Sequence, residues 1–190
     1  MTLKNLSIDK TWSLFLDRDG VINKKLPNDY VKKWAEFEFL PGVLDALATF
    51  TNLFDKIFIV TNQQGIGKGV MTEIDLTKIH EQFMYEVVNH GGRINKIYHS
   101  PYRQEEKSVF RKPNIGLARK AKIDYPEIEF EKSIMIGDSI SDMQFGKDAG
   151  MFTIFISTHE VHVEEHKEWI DFIYPNLKSI AKELNHLSKI

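Results

Sequence analysis

Two carboxylates, Asp17 and Asp19, stand one residue apart directly after the apolar run Ser13–Leu16. Acids at the end of a buried run concentrate negative charge that a cation must neutralise. A hard divalent ion such as magnesium, which favours oxygen ligands, is the simplest candidate. A second pair, Asp138 and Asp142, follows the run Ile134–Ile136 and offers further metal carboxylates. Between the two pairs, Ile57–Val60 empties into Thr61-Asn62-Gln63-Gln64-Gly65-Ile66-Gly67-Lys68-Gly69, whose hydroxyl, side-chain amides and flexible loop can donate to a phosphate. Arg111-Lys112-Pro113 adds two cations, and the proline restrains Lys112 toward an extended backbone.

Each cluster also has a plainer reading. The acids at 17 and 19 fit an ordinary turn, the glycines at 65 to 69 a turn before a helix, Arg111 and Lys112 solvated charges, and Asp138 and Asp142 a helix cap with a first-turn acid. A P-loop fails for the second cluster, because that motif needs glycine where Asn62 stands and Ser or Thr where Gly69 stands. The order acid pair, Thr-Asn, Lys, acid pair, each behind a different apolar run, favours one shared site over four accidents.

The elements that must position these residues follow from the same runs. Ser13–Leu16, Ile57–Val60, Ile94–Tyr98, Ile134–Ile136 and Phe152–Ile156 read as buried parallel strands. Helical periodicity falls at Val43–Leu53, at a stretch after Thr72 through Ile74, Ile79, Phe83 and Val87 closed by Gly91 and Gly92, at about Asn114–Lys122, at Ile140–Lys147 and at Leu177–Leu187. Alternating strands and helices predict an α/β, Rossmann-like doubly wound, mostly parallel sheet with helices on both faces and ligands at the carboxyl ends of its strands. Before the second strand there is room for a flap around Asn28–Glu38 and one helix. Between Asn62 and Arg111 there is room for one helix, one strand and one loop, so no separate cap domain is expected. Tyr30, Trp34 and the Tyr102 region are the expected walls of the site, and Phe37 and Phe39 the packing face of an extended segment.

The chain has 190 residues, read as a single domain over 1–190, with 25 basic and 27 acidic residues and a net charge of −2. No polybasic stripe is present to collect nucleic acid or anionic lipid. It has no cysteine, which rules out disulfides, thiolate metal sites and a cysteine nucleophile. Lys4, Asp9 and Lys10 interrupt the N-terminal region, and nothing approaches the roughly 18 apolar residues of a membrane span. We expect a cytoplasmic monomer acting on a small phosphorylated metabolite.

The ordered set resembles the haloacid dehalogenase (HAD) superfamily over nearly the whole chain. Asp17-Arg18-Asp19-Gly20-Val21-Ile22-Asn23, Phe39-Leu40-Pro41-Gly42-Val43, the Thr61–Gly69 loop and Arg111-Lys112-Pro113 are similar to the branch containing the heptose bisphosphate and histidinol phosphatases. That resemblance implies Asp17 as nucleophile forming an aspartyl-phosphate, Asp19 as the acid and base, and Lys112 as the neutralising cation. It implies magnesium held by Asp17, the carbonyl of Asp19 and Asp138, with Asp142 as a further acidic support. Thr61 and Asn62 would orient the phosphate and Arg111 would face the substrate, with Arg18 and Gln63 counted among the substrate-binding residues.

Members of this branch often hold a structural zinc with three cysteines and a histidine before the Arg-Lys-Pro. Here Ser108 and Phe110 occupy the final cysteine positions and His99 is the nearest remnant, so no structural zinc is expected. Burial of Tyr98, Tyr102 or Phe110 is the expected substitute. The implied reaction is hydrolysis of the 7-phosphate of a heptose bisphosphate, with histidinol phosphate or another small monoester as the alternative. A non-catalytic phospholigand-binding relative is the alternative from another class, disfavoured by intact Asp17, Asp19, Lys112 and Asp138. His159, His162 and His166 could share a helix face and bind a metal, but we read them as a solvated surface.

Overall fold

The computed structural model describes residues 3, 6–157 and 164–187. Its elements run β1 (Ser13–Leu16), α1 (Val43–Leu53), β2 (Lys56–Asn62), α2 (Glu73–Asn89), β3 (Lys96–Ser100), α3 (Gly116–Asp124), β4 (Ser133–Gly137), α4 (Ile140–Ala149), β5 (Phe152–Ile156), β6 (Phe172–Tyr174) and α5 (Leu177–Leu187). The strands form one sheet in the order β3-β2-β1-β4-β5-β6, with every neighbouring pair parallel. Strand alternation splits the core. Leu14 and Leu16 pack with α1, α2 and α5, while Phe15 packs on the opposite face with α3 and Phe145 of α4. The chain is therefore the doubly wound α/β fold expected, and its order reverses between β1 and β4, where a crevice opens at the strand ends.

The limits of β1, α1, β5 and α5 coincide with the sequence expectations. The third strand starts at Lys96 rather than Ile94, because Asn95 caps the β2 edge through its own N–H and its Oδ1, each 2.8 Å from the Ile57 backbone. The third helical segment starts at Gly116 rather than Asn114, since the Asn114 side-chain amide instead donates to Ser108 O at 3.0 Å and closes the preceding loop. Ile74 does not join the buried stripe of α2; it is 67% exposed, and Leu76 takes the core position. Strand β6 was not expected from the sequence. It is three residues long, at a sheet edge, with Ile173 partly exposed, and so lacks a continuous apolar run.

Between β1 and α1 the chain folds back on itself. Lys24 N donates to Glu38 O at 2.8 Å and Leu40 N to Ile22 O at 3.0 Å, closing the flap. Trp34 stacks on Phe37 at 4.9 Å and Phe37 on Phe83 of α2 at 5.6 Å, so Trp34 packs toward the core and is not a wall of the crevice as expected. Phe37 and Phe39 do pack as anticipated. The flap is thus anchored through Phe83. Phe83→Ala should cost about 3–5 kcal/mol and lower the melting temperature by roughly 10 °C; a thermal melt within a degree of the parent would contradict this anchoring.

Candidate active site

Lys112 occupies the middle of the crevice and is 3% exposed. Its Nζ donates to Asp17 Oδ1 at 2.8 Å and to Val60 O at 2.7 Å, and it pairs with Asp142 Oδ1 at 2.5 Å. An ammonium has three hydrogens, so all are engaged. Burial disfavours the charged amine, but the carboxylates of Asp142 and Asp17 outweigh it and raise the Lys112 pKa. The backbone of Lys112 is fixed as well: Asn62 Oδ1 accepts from its N–H and Asn62 Nδ2 donates to its carbonyl, both at 3.1 Å. Asn62 therefore locks the tip of β2 to the Arg-Lys-Pro loop, with one amide hydrogen left for a ligand.

The two acid pairs meet at the strand ends. Asp17 follows β1, its N–H bonded to Ile136 O of β4 at 2.9 Å. Oxygens of Asp17, Asp138 and Asp142 lie within 4.8 Å of one another. Asp142 does not share a helix face with Asp138, which precedes α4. It stands in the first turn, where its Oδ2 accepts from the N–H and Oγ of Ser139 at 3.1 and 2.6 Å. Both Asp142 oxygens are thus occupied, whereas Asp138 Oδ2 meets Lys25 at 2.9 Å and its buried Oδ1 has no partner among the described residues. Close approach needs glycines here. A Cβ on Gly20 (φ +94°) would fall 2.1 Å from Asp138 Oδ2, and one on Gly137 would fall 2.2 Å from Asp142 Cβ.

Asp19 lines the same cleft and is held by a separate set of donors. Its oxygens accept from Arg18 Nη2 at 3.0 Å each, from Asn23 Nδ2 at 2.9 Å and from Gln63 Nε2 at 2.8 Å. Burial alone would raise its pKa, but Arg18, Asn23 and Gln63 prevail and hold the carboxyl below its ordinary range. Arg18 and Gln63, expected among the substrate-binding residues, do not line the cleft. Arg18 is fully buried and Gln63 is 1% exposed, and Gln63 spends its amide on Arg18, Asp19 and Thr61 Oγ1. Thr61, accepting that bond at 2.8 Å, keeps its own hydroxyl hydrogen for the cleft.

The cleft of about 620 Å³ is lined by Asp17, Asp19, Tyr30, Thr61, Asn62, Arg111, Lys112, Asp138 and Asp142, all expected from sequence, and by Lys25, Gln64, Lys68, Ser139 and Ser141. Of the expected walls, Tyr30 is present. Tyr102 is not, though its carbonyl accepts from Arg111 Nη1 at 3.0 Å. The loop leading to Arg111 is ordered by main-chain bonds such as Gly67 N to Pro101 O and Gly116 N to Val109 O, not by burial of Tyr102 or Phe110, which are 39% and 40% exposed. Tyr98 is buried, but on β3. His99 pairs with Glu73 at 2.8 Å. His159 and His162 lie outside the described residues, and His166 stacks on Trp169 at 5.1 Å.

Residues 109–180 match the HAD-hydrolase-like family. A D-glycero-alpha-D-manno-heptose-1,7-bisphosphate 7-phosphatase of Campylobacter jejuni is 39% identical over 173 residues, spanning 90% of this chain and 94% of that protein. The chain belongs to the HAD-like phosphatases. The phosphatase of the same printed name from Mycobacterium bovis is also 39% identical, over 133 residues and 70% of each chain. A solved D,D-heptose 1.7-bisphosphate phosphatase from B. bronchiseptica, complexed with magnesium and phosphate, superposes with a TM-score of 0.81 at 25% identity, covering 92% of this chain and 98% of that one.

A divalent metal fits the residues of this HAD-like phosphatase. Burial pushes the Asp17 carboxyl up to about 7, with Lys112 opposing and Asp142 and Asp138 adding to the rise. Burial likewise raises Asp138 against the pull of Lys25. The orphaned Asp138 Oδ1, beside an acid cluster short of positive charge, is the place a cation would relieve most. At 100 times its dissociation constant a ligand adds about 2.7 kcal/mol, so magnesium should raise the melting temperature by roughly 5–10 °C. Asp138→Asn should lose most of that increment and melt no lower than the parent in chelator. An unchanged increment in Asp138→Asn would move the metal elsewhere.

Proposed function

We propose that this chain is a magnesium-dependent phosphate monoester hydrolase that removes the 7-phosphate of D-glycero-D-manno-heptose 1,7-bisphosphate through an aspartyl-phosphate on Asp17. The observation that carries this reading is the buried Asp17 carboxylate, one oxygen fixed by Lys112 at 2.8 Å, at the floor of a cleft whose lining includes Lys68 and Arg111. The names of the relatives at 39% identity support the sugar, and they specify its alpha anomer. We take residues 1–190 as one catalytic domain, acting as a cytoplasmic monomer on a small metabolite, with neither nucleic acid nor membrane as partner and without the branch's structural zinc. Among the described residues no helix is long and apolar enough to cross a membrane.

In this reading the free oxygen of Asp17 attacks phosphorus, the bond to the sugar oxygen breaks, and Asp19 protonates the departing oxygen. Water then attacks phosphorus, the bond from phosphorus to Asp17 breaks and releases inorganic phosphate, and one water proton passes to Asp19, which carries it to the leaving oxygen of the next turnover. A carboxylate approaching a phosphate dianion meets repulsion, which Lys112 offsets while the Thr61 hydroxyl and the remaining Asn62 hydrogen orient the phosphoryl oxygens. Magnesium, held by Asp17, the Asp19 carbonyl and Asp138, would supply the rest of the neutralising charge. Asp142 acts behind them by holding Lys112.

Lys68 and Arg111 are assigned to the second phosphate. Lys68 Nζ rests on Tyr30 OH at 2.9 Å, which leaves hydrogens for an anion at the rim. Assayed with magnesium against a panel of phosphorylated metabolites, the enzyme should prefer the heptose bisphosphate. Lys68→Ala should raise KM for the bisphosphate about tenfold, as loss of one charge-assisted bond implies, and leave that for heptose 7-phosphate nearly unchanged. A higher kcat/KM for histidinol phosphate would overturn the substrate assignment. Failure to release phosphate from any ester would point to a phospholigand-binding protein.

A further inference from the structure

The fixation of Asp19 extends beyond its neighbours. While Arg18 Nη2 holds both Asp19 oxygens, Arg18 Nη1 lies 3.1 Å from Nε2 of His80 on α2. A guanidinium only donates, so His80 Nε2 must carry its lone pair and the ring must be neutral. Burial, reinforced by the charge of Arg18, pushes His80 the same way, down to about 3. Arg18 Nε has no partner among the described residues, and the guanidinium lies 5.9 Å from the Phe37 ring centroid. The direction of the Arg18 fork is therefore set at its two ends, by His80 on one side and by Asp19 with Gln63 on the other. His80 is itself held on a helix whose first turn is closed by reciprocal bonds between Thr72 and Asp75.

We propose that His80 is a positioning residue for the second half of the reaction. By accepting from Arg18, it fixes the guanidinium that aims the Asp19 carboxylate at the water attacking the aspartyl-phosphate. In that step the water oxygen bonds to phosphorus, and the bond from phosphorus to Asp17 breaks with its electron pair returning to the carboxylate. One water proton passes to Asp19. The inference rests on the role given to Asp19 under the proposed function. Asp19 is suited to this half as it stands, since three side chains donate to it and it presents a proton acceptor rather than a donor.

The test uses p-nitrophenyl phosphate and magnesium, because nitrophenolate leaves without a proton and the first half then needs no acid. His80→Phe keeps a ring but no acceptor. It should give a near-stoichiometric burst of nitrophenolate, followed by a steady rate about tenfold slower, with kcat and KM falling together. His80→Gln, whose Oε1 can replace Nε2, should restore the parent rate, and thermal melts of both variants separate this from partial unfolding. Asp19→Asn, run in parallel, should show the same burst with a slower second phase. If Asp19→Asn gives no burst, the role of Asp19 falls and the inference with it. If Asp19→Asn bursts while His80→Phe behaves as the parent, or if Phe and Gln lose activity alike, His80 has no positioning role.

Discussion

One ammonium shared between two buried carboxylates organises this site. Lys112 comes from the loop before α3, Asp17 from the end of β1 and Asp142 from the first turn of α4, so a single nitrogen ties three separate segments to the sheet. Breaking a buried pair leaves an uncompensated charge at a cost of several kcal/mol, which makes each member dependent on the others. The Asn62 amide closes the arrangement by gripping the Lys112 backbone from β2. The cluster remains short of positive charge, because Asp138 adds a third carboxylate and its other neutralising partner, Lys25, is largely exposed. In the proposed reaction, need for a cation and attack on phosphate thus arise from the same crowding.

A second layer, built on Arg18, keeps Asp19 apart from that crowding. Arg18 is among the largest fully buried side chains, and its charge is met by Asp19 at short range. Gln63 links the same layer to Thr61, so the expected acid and the expected phosphate donor are parts of one hydrogen-bonded unit. The loop between β3 and α3 delivers Arg111 and Lys112 through main-chain hydrogen bonds joined by side-chain ones, such as Asn114 Nδ2 to Ser108 O and Arg111 Nη1 to Tyr102 O.

Much of this was legible in the sequence. A parallel sheet places the residues after its apolar runs at one edge, so Asp17, Thr61 and Asp138 could be gathered from strand ends, while Lys112, twelve residues beyond β3, was placed by the Arg-Lys-Pro motif. The helix limits at Val43–Leu53 and Leu177–Leu187 followed from their apolar periodicity. Side-chain direction beyond a strand tip is another matter, since the period of two ends with the strand. Arg18 and Gln63 are polar and adjacent to cleft residues, which suggests substrate binding, yet their side chains turn inward onto Asp19. Lys25 is not singled out by the sequence, and Gln64 and Lys68 only as members of the glycine loop, because their place on the cleft wall is set by the flap and that loop folding over it, a tertiary fact no local pattern encodes.

The central claim is that Asp17, clamped by Lys112, takes the phosphoryl group. Enzyme turning over with magnesium can be quenched in acid and reduced with borohydride, which converts an aspartyl-phosphate to homoserine, and the peptide carrying it located by mass spectrometry. The expected result is homoserine at position 17 alone, absent without substrate. Homoserine at position 19 or 138, or none under conditions of rapid turnover, would contradict it.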